Sequence, residues 1–381
     1  MNPHMGGTAR APLDICSALV QRGDEVLLVS TVIAGEDLEE VVREYARVPI
    51  RLFRRRFPSH NFRSPSLHRW LRKNVASFDL VEIHGVFSFV PIYAAWACRR
   101  SGTPYTVRPH GSLDPFDLRK HATAKRLLGA VLFRPLLQNA MGVVLTSQTE
   151  ADRLVTFGAD PPRAVAPLPV QGPIERGDGE NFRTVHGIPS RALVVLLLGR
   201  LHPKKGLQFL IPALASLKPS FPNLWFLLVG TGESQHLEEV RDLLHHHNMS
   251  SWTTWSHFLG GQPKQSAFAA SDVFALPSLN ENFGIAVVEA MYARLPVLIS
   301  TEVYIHDIVT AGDAGITCEP TVASCQSALR SLLENEDGRR RMGGHGPEVV
   351  RRHFAPQPAM DALQEVQRSL ASRSGLALEQ P

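Results

Sequence analysis

The sequence predicts an α/β protein built as two open, mostly parallel sheets covered by helices. Three observations carry that expectation. Short apolar runs rich in β-branched residues alternate with longer amphipathic segments along almost the whole chain, which is the pattern of parallel strands and crossover helices. A stretch dense in Gly, Pro and charge, Pro169 to Glu180, interrupts the alternation and reads as a linker. At 381 residues the chain is long for one core and comfortable for two, at roughly 100 to 200 residues per domain. The expected division is a first domain over 1–170, a linker over 171–190, a second domain over 191–355 and a terminal segment over 356–381.

In the first half the expected strands are Glu25 to Ser30, Ile50 to Arg54, Leu80 to His84, Tyr105 to Arg108, Val143 to Thr146 and Ala164 to Leu168. In the second they are Leu193 to Leu198, Leu224 to Val229, Trp252 to Leu259, Val273 to Leu276 and Pro296 to Ser300. Helices fill the intervals. Pro356 to Ser374 alternates apolar and charged residues at helical spacing and reads as a last helix.

Composition narrows the function. With 44% apolar and 20% charged residues, the chain is neither disordered nor fibrous. Its longest nearly apolar run, Val86 to Cys98, contains Ser88 and Pro91 and falls short of the roughly 20 residues a spanning helix needs. The first residues lack the apolar core of a signal peptide, so a cytoplasmic location is expected. Cys16, Cys98, Cys318 and Cys325 have no metal-ligand spacing, and His245-His246-His247 closes a charged amphipathic helix as a solvated face, so no metal site is expected. Residues 1–175 carry 22 Lys and Arg against 16 Asp and Glu, concentrated at Arg54-Arg55-Arg56 and Arg119 to Arg126. That surface suits an anionic membrane face or a phosphate-bearing acceptor. Without aromatic-basic interleaving or a recognisable module, nucleic acid is not expected.

The chemistry concentrates in a few loops. Pro277 to Ile285 puts Glu281 in a polar turn and Gly284 where a backbone can approach a ligand closely. The apolar run from Ile285 to Met291 then reads as a helix, whose first amides form a ready diphosphate site, with Glu289 further along it. Gly199 to Gly206 follows the strongest strand of the second half, and its Arg200 and Lys205 are two cations able to clamp a diphosphate and stabilise the charge of a leaving nucleotide. Gly230 lies in the tight turn Val229 to Gly232, and Phe258 in His257-Phe258-Leu259-Gly260. In the first half, Arg108 and His110 close a strand in Val107 to Pro115, at the edge where open α/β sheets bind ligands, and His84-Gly85 closes another.

As a whole the segment from Pro277 through Met291 to Val297 resembles the nucleotide-sugar signature of the retaining GT-B glycosyltransferases, glycosyltransferase family 4. Arg200 and Lys205 match that family's G-R-x4-K-G pattern, Val229 to Gly232 its V-G-x-G, and Pro109-His110-Gly111 the P-H-G of many bacterial members. The resemblance runs from Gly6 to about Ser374 and implies two Rossmann-like domains facing a cleft, the last helix crossing back to brace the first domain. It implies a nucleoside diphosphate sugar donor. The diphosphate would lie on Arg200, Lys205 and the amides of Phe283, Gly284 and Ile285, next to Asn282, with Gly6 and Gly7 touching a phosphate from the first domain. Glu289 would hold the ribose, Glu281 the sugar hydroxyls beside the reacting carbon, His110 the donor sugar, Gly230 the turn against the nucleotide and the backbone near Phe258 the base. His84 and Arg108 fall on the acceptor side. No metal or other cofactor is implied. The expected acceptor is a glycan or lipid-linked glycan of a bacterial surface polysaccharide or lipopolysaccharide, handled by an enzyme peripheral on the inner membrane face.

Two departures stand out. A hydrophobic first strand, about the central one of the N-terminal sheet, should precede Gly6-Gly7, yet five residues do, so that strand is missing from the pattern. Arg294 occupies a position where the family usually has Gly in a left-handed conformation, which implies strain or a different helix end. A nucleotide-sugar 2-epimerase of the same fold, or a truncated nucleotide-binding remnant without catalysis, are the alternative readings.

Overall fold

The computed structural model describes residues 7–33, 45–56, 63–119, 129–172 and 177–373. The chain forms two compact units, one of Met1–Pro169 with Pro356–Pro381 and the other of Val170–Ala355.

In the first unit, helix α1 (Gly7–Arg22) leads into β1 (Leu28–Val32), which pairs in parallel with β2 (Ile50–Arg54). A separate parallel sheet follows in the order β3 (Val81–His84), β4 (Tyr105–Arg108), β5 (Gly142–Leu145), β6 (Arg163–Val165). Among the described residues β1 and β3 are not bonded to one another, so each presents an unpaired edge. Strands β4 and β5 are buried along their whole length, which is why they read as continuous apolar runs rather than alternating ones. Helices α2 (Pro65–Asn74) and α3 (Phe89–Ser101) pack on each other, and α4 (Gln148–Arg153) follows β5. The last helix, α8 (Pro356–Arg373), lies in this unit against α1 and β6, its Met360 carbonyl accepting from Arg22 Nη1 at 3.3 Å.

The second unit is one parallel sheet of six strands: β7 (Leu193–Leu198), β8 (Leu224–Val229), β9 (Thr253–Ser256), β10 (Val273–Leu276), β11 (Val297–Ser300) and β12 (Gly315–Cys318). Their spatial order is β12-β11-β10-β7-β8-β9. The chain winds outward from β7 to β9, then returns to the other side of β7 and winds outward again. This reversal between β7 and β10 is the switch point at which doubly wound sheets leave a crevice beyond their carboxyl ends. Helices α5 (Leu207–Leu217), α6 (Gly261–Ala269) and α7 (Ile285–Tyr292) follow β7, β9 and β10. Arg294 adopts φ +63°, so the chain leaves α7 through a left-handed non-glycine residue, a conformation that costs on the order of 1 kcal/mol.

Candidate active site

The strand order places the loops after β7 and β10 side by side. They approach so closely that a Cβ on Gly206, which has φ +76°, would lie 1.9 Å from the Pro277 carbonyl oxygen. The Leu279 amide bonds across to the Lys204 carbonyl at 2.7 Å, fastening one loop to the other. A residue other than glycine at 206 would push them apart.

Glu281 is held from both sides of its backbone: its amide donates to the Glu302 carbonyl at 2.9 Å, and its carbonyl accepts from Tyr304 at 3.0 Å. Its carboxylate takes a short hydrogen bond from Lys205 Nζ, across the two loops. Asn280, just before it, is buried, accepting from Lys204 Nζ at 3.3 Å and donating to the Tyr304 hydroxyl at 2.7 Å. The loop is thus fastened on both sides of this carboxylate.

Gly284 takes φ +79° and serves as the N-cap of α7, so the chain enters the helix through a left-handed turn. Phe283 turns its ring into the core, edge-on to Phe354 at 5.3 Å, which leaves its backbone at the helix entrance beside Asn282. At the start of α7 the Val287 and Val288 amides bond back to the Gly284 carbonyl at 2.8 and 3.3 Å, while Ile285 and Ala286 stand in the first turn, where a helix offers its amides no acceptor of its own. Further along α7, Glu289 accepts a 2.6 Å hydrogen bond from Lys264 Nζ of α6. Lys264 is buried, so this pair is shielded from water more than a surface ion pair. Arg200 is different. Its side chain is 45% exposed, and among the described residues its ion-pair partner is Glu233, 3.8 Å away and itself exposed, so its charge is available to a ligand.

Gly230 and Phe258 lie at the same edge. The Gly230 amide donates to Ser256 at 2.9 Å, joining the ends of β8 and β9, and Phe258 follows β9 with 45% of its surface exposed. Arg200, Lys205, Glu281, Gly230 and Phe258 therefore all sit beyond the carboxyl ends of four adjacent strands, β10, β7, β8 and β9.

In the first unit His84 ends β3 and Arg108 ends β4, directly paired in register. The His84 and His110 rings lie edge to edge and nearly parallel, with centroids 5.1 Å apart and 13° between planes, and His84 Nδ1 lies 2.8 Å from His110 Nε2. His110 is held at φ +52°. Its neighbour fixes it there: the Gly111 amide donates to Glu150 Oε1 at 2.7 Å, while Glu150 Oε2 accepts from the Thr146 amide and hydroxyl at 2.7 and 2.9 Å. Burial raises the Glu150 carboxyl against the opposing effect of those bonds. Burial, with Arg108 nearby, lowers His84 to about 4 against the opposing pull of Glu82, and burial with His84 and Arg108 drives His110 well below the usual histidine range.

Arg108 does not act on the acceptor side as expected. It is fully buried, its Nε donating to Glu82 Oε1 at 3.0 Å and its Nη1 to the Ala166 carbonyl at 2.9 Å, so no ligand can reach it. A cation that deep persists because Glu82 neutralises it. Of the paired glycines, Gly7 is the first residue of α1 and Gly6 lies outside the described residues.

Three side chains that shape these sites were not singled out from the sequence: Lys264, Glu82 and Glu150. Glu82 alone left a signal, since Glu82 and His84 share one face of a strand that is otherwise apolar. Glu150 stands three residues after Ser147 in a capping-box pattern, yet its carboxylate reaches the Gly111 loop instead of the cap.

Two family models match the chain in tandem. Glycosyltransferase Family 4 covers residues 5–170 and Glycosyl transferases group 1 covers residues 178–349. The chain belongs to the family 4 glycosyltransferases. It is 26% identical over 366 residues to phosphatidyl-myo-inositol mannosyltransferase of Mycobacterium leprae, a match spanning 91% of this chain and 89% of that protein. It is 31% identical over 230 residues to D-inositol 3-phosphate glycosyltransferase of Corynebacterium efficiens, spanning 57% of this chain and 54% of that protein. Among solved structures it is similar to Anabaena Alr3699/HepE in complex with UDP-glucose, with TM-score 0.78 at 18% identity and 96% coverage of both chains. It is also similar to WaaG, a glycosyltransferase involved in lipopolysaccharide biosynthesis, with TM-score 0.69 at 15% identity and coverage of 93% of this chain and 95% of that one. The fold of this family 4 member is GT-B.

Proposed function

We propose that this family 4 enzyme is a retaining glycosyltransferase that moves a sugar from a nucleoside diphosphate donor to an acceptor hydroxyl. The observation that carries the reading is the pairing of each carboxylate of the Glu281/Glu289 couple with its own lysine, Lys205 and Lys264, at the switch-point edge of the second unit. A diphosphate placed on Arg200, Lys205 and the amides of Phe283, Gly284 and Ile285 competes with Glu281 for Lys205. As Lys205 turns to the phosphate, Glu281 is released to accept hydrogen bonds from the sugar hydroxyls. Glu289, steadied by Lys264, receives the ribose hydroxyls, and the backbone around Phe258 the base. The sugar–phosphate bond breaks as the bond to the acceptor oxygen forms on the same face, and the acceptor proton passes to the departing phosphate oxygen. No enzyme nucleophile is required. Arg200 and Lys205 supply the positive charge that a divalent ion provides elsewhere, so transfer needs no metal. HepE's complex with UDP-glucose supports a nucleotide-sugar donor here.

The acceptor is a glycan on a lipid carrier, reached from a membrane surface. Among the described residues no helix is long and apolar enough to cross a membrane. The support is a basic aromatic surface on α2 and α3, where Trp96, 41% exposed, lies 5.7 and 5.9 Å beneath the Arg72 and Arg100 guanidinium groups. An open hollow beside it is lined by Pro65, His68, Arg69, Arg72, Lys73 and Tyr93. Sedimentation with vesicles at low salt is expected to retain the protein on anionic lipid, and to lose it with neutral lipid or with Arg72→Glu and Arg100→Glu together. Equal binding to both lipids would remove the membrane from the reading.

Thermal unfolding with UDP, GDP and ADP tests the donor site. One nucleotide is expected to raise stability, by about 2.7 kcal/mol at a hundredfold excess over its Kd, and Glu289→Ala to reduce that shift. Indifference to all three nucleotides would contradict the proposed donor site.

A further inference from the structure

We propose that Glu82 and His84 are positioning residues that hold His110 as its Nε2–H tautomer, so that Nδ1 of His110 presents a lone pair and receives a hydrogen bond from a sugar hydroxyl. The inference rests on the transferase reading only for the word sugar; the tautomer itself follows from geometry.

Arg108 anchors Glu82 through its Nε at 3.0 Å, and the same carboxylate oxygen lies 3.3 Å from His84 Nε2. The two are within charge-pair distance without a formed hydrogen bond, and the carboxylate's negative charge favours a proton over a lone pair on the nearer ring nitrogen, so we assign the His84 proton to Nε2. In a neutral ring this leaves His84 Nδ1 as an acceptor. His110 Nε2 stands 2.8 Å from it and must therefore be the donor. His110, neutral in turn, has its lone pair on Nδ1. The two ring planes lie within 13° of one another, so the hydrogen bond runs edge to edge between the rings.

Two further features fit a group held for use. His110 makes no other side-chain hydrogen bond among the described residues, and it is half-buried rather than enclosed. It sits in a left-handed backbone conformation that Glu150 secures through the Gly111 amide, and strain of this kind concentrates at functional positions. The titratable and charged groups around the pair are Glu82 and Arg108 on β3 and β4, Glu150 on α4 and Cys16 on α1, whose thiol is raised by burial and by Glu82. Burial and Arg108 together favour neutral imidazoles, which is the state the relay needs.

The chemical consequence is selective. A lone pair accepts from a hydroxyl and repels a phosphate oxygen, so His110 is suited to a sugar hydroxyl and not to a phosphate.

The test is a long-range 1H–15N correlation spectrum of the full chain labelled with 15N-histidine. In the wild type both His84 and His110 are expected as neutral Nε2–H tautomers, unchanged from about pH 6 to pH 8. His84→Phe keeps an aromatic ring at this position and removes the acceptor, and His110 is then expected to become a mixture of both tautomers. An Nδ1–H form of His110 in the wild type, titration of either ring near 6.5, or an unaltered His110 spectrum in His84→Phe would each overturn the relay. UDP-glucose or GDP-mannose is expected to move the His110 Nδ1 resonance, and UDP or GDP alone to leave it in place. Movement with the nucleotide alone, or with neither nucleotide sugar, would overturn the hydroxyl assignment. None of these spectra requires turnover, so a protein that shows the relay but transfers no sugar would refute the transferase reading and leave the relay standing.

Discussion

Lys205→Ala is expected to lower kcat/KM by about a hundredfold to a thousandfold while leaving a cooperative melt, because it removes one preorganised cation from the leaving diphosphate. Its stability cost should be small. The Lys205 and Glu281 side chains are 20% and 18% exposed, so water can solvate the carboxylate left behind. The loop also keeps its other fastenings, the Leu279 to Lys204 and Glu281 to Glu302 backbone bonds. Steady-state kinetics beside a melting curve separates the two effects. Activity within a few-fold of wild type would mean that Lys205 balances Glu281 and does nothing more.

Arg108→Met should act in the opposite way, on stability before chemistry. It strips the partner from the Glu82 carboxylate beneath β3 and β4, and breaking a buried pair of this kind costs about 3 to 5 kcal/mol. In a unit of this size that corresponds to a fall in melting temperature of roughly 6 to 20 °C. Adding Glu82→Leu is expected to restore most of the loss, since the second change removes the orphaned charge. A melting temperature unchanged in the single variant would show that Arg108 carries no buried charge pair.

These two residues also show what a sequence can and cannot reveal. Lys205 was legible because its neighbours are local: a buried apolar strand, a glycine turn and a cation in the loop between strand and helix. Arg108 was misread because the same local cues, a strand end beside a histidine, gave no hint that Glu82 on the adjacent strand would bury it. Lys264 was invisible for the same reason, as its partner Glu289 lies 25 residues on, in another helix.

The strands follow a similar logic. β7, β8 and β10 have the expected limits because burial on both faces makes them unbroken apolar runs. β9 is shorter than expected, since Trp252 belongs to a 3₁₀ turn and His257 to Leu259 pass into the loop that carries Phe258. β6 stops at Val165, where Pro167 removes a donor from the ladder. β12 was not expected: Gly315-Ile316-Thr317-Cys318 is a four-residue edge strand opened by a glycine, and nothing in its composition distinguishes it from a loop.

The decisive measurement is the configuration of the sugar when it is first released or transferred, followed by 1H NMR in the presence of a chelator, with the nucleotide sugar that the thermal panel selects. The expected result is a product with the donor's own anomeric configuration, formed at an undiminished rate without divalent ions. A first-formed product of inverted configuration, or a rate abolished by the chelator and restored by a divalent ion, would contradict a same-face transfer supported by Arg200 and Lys205.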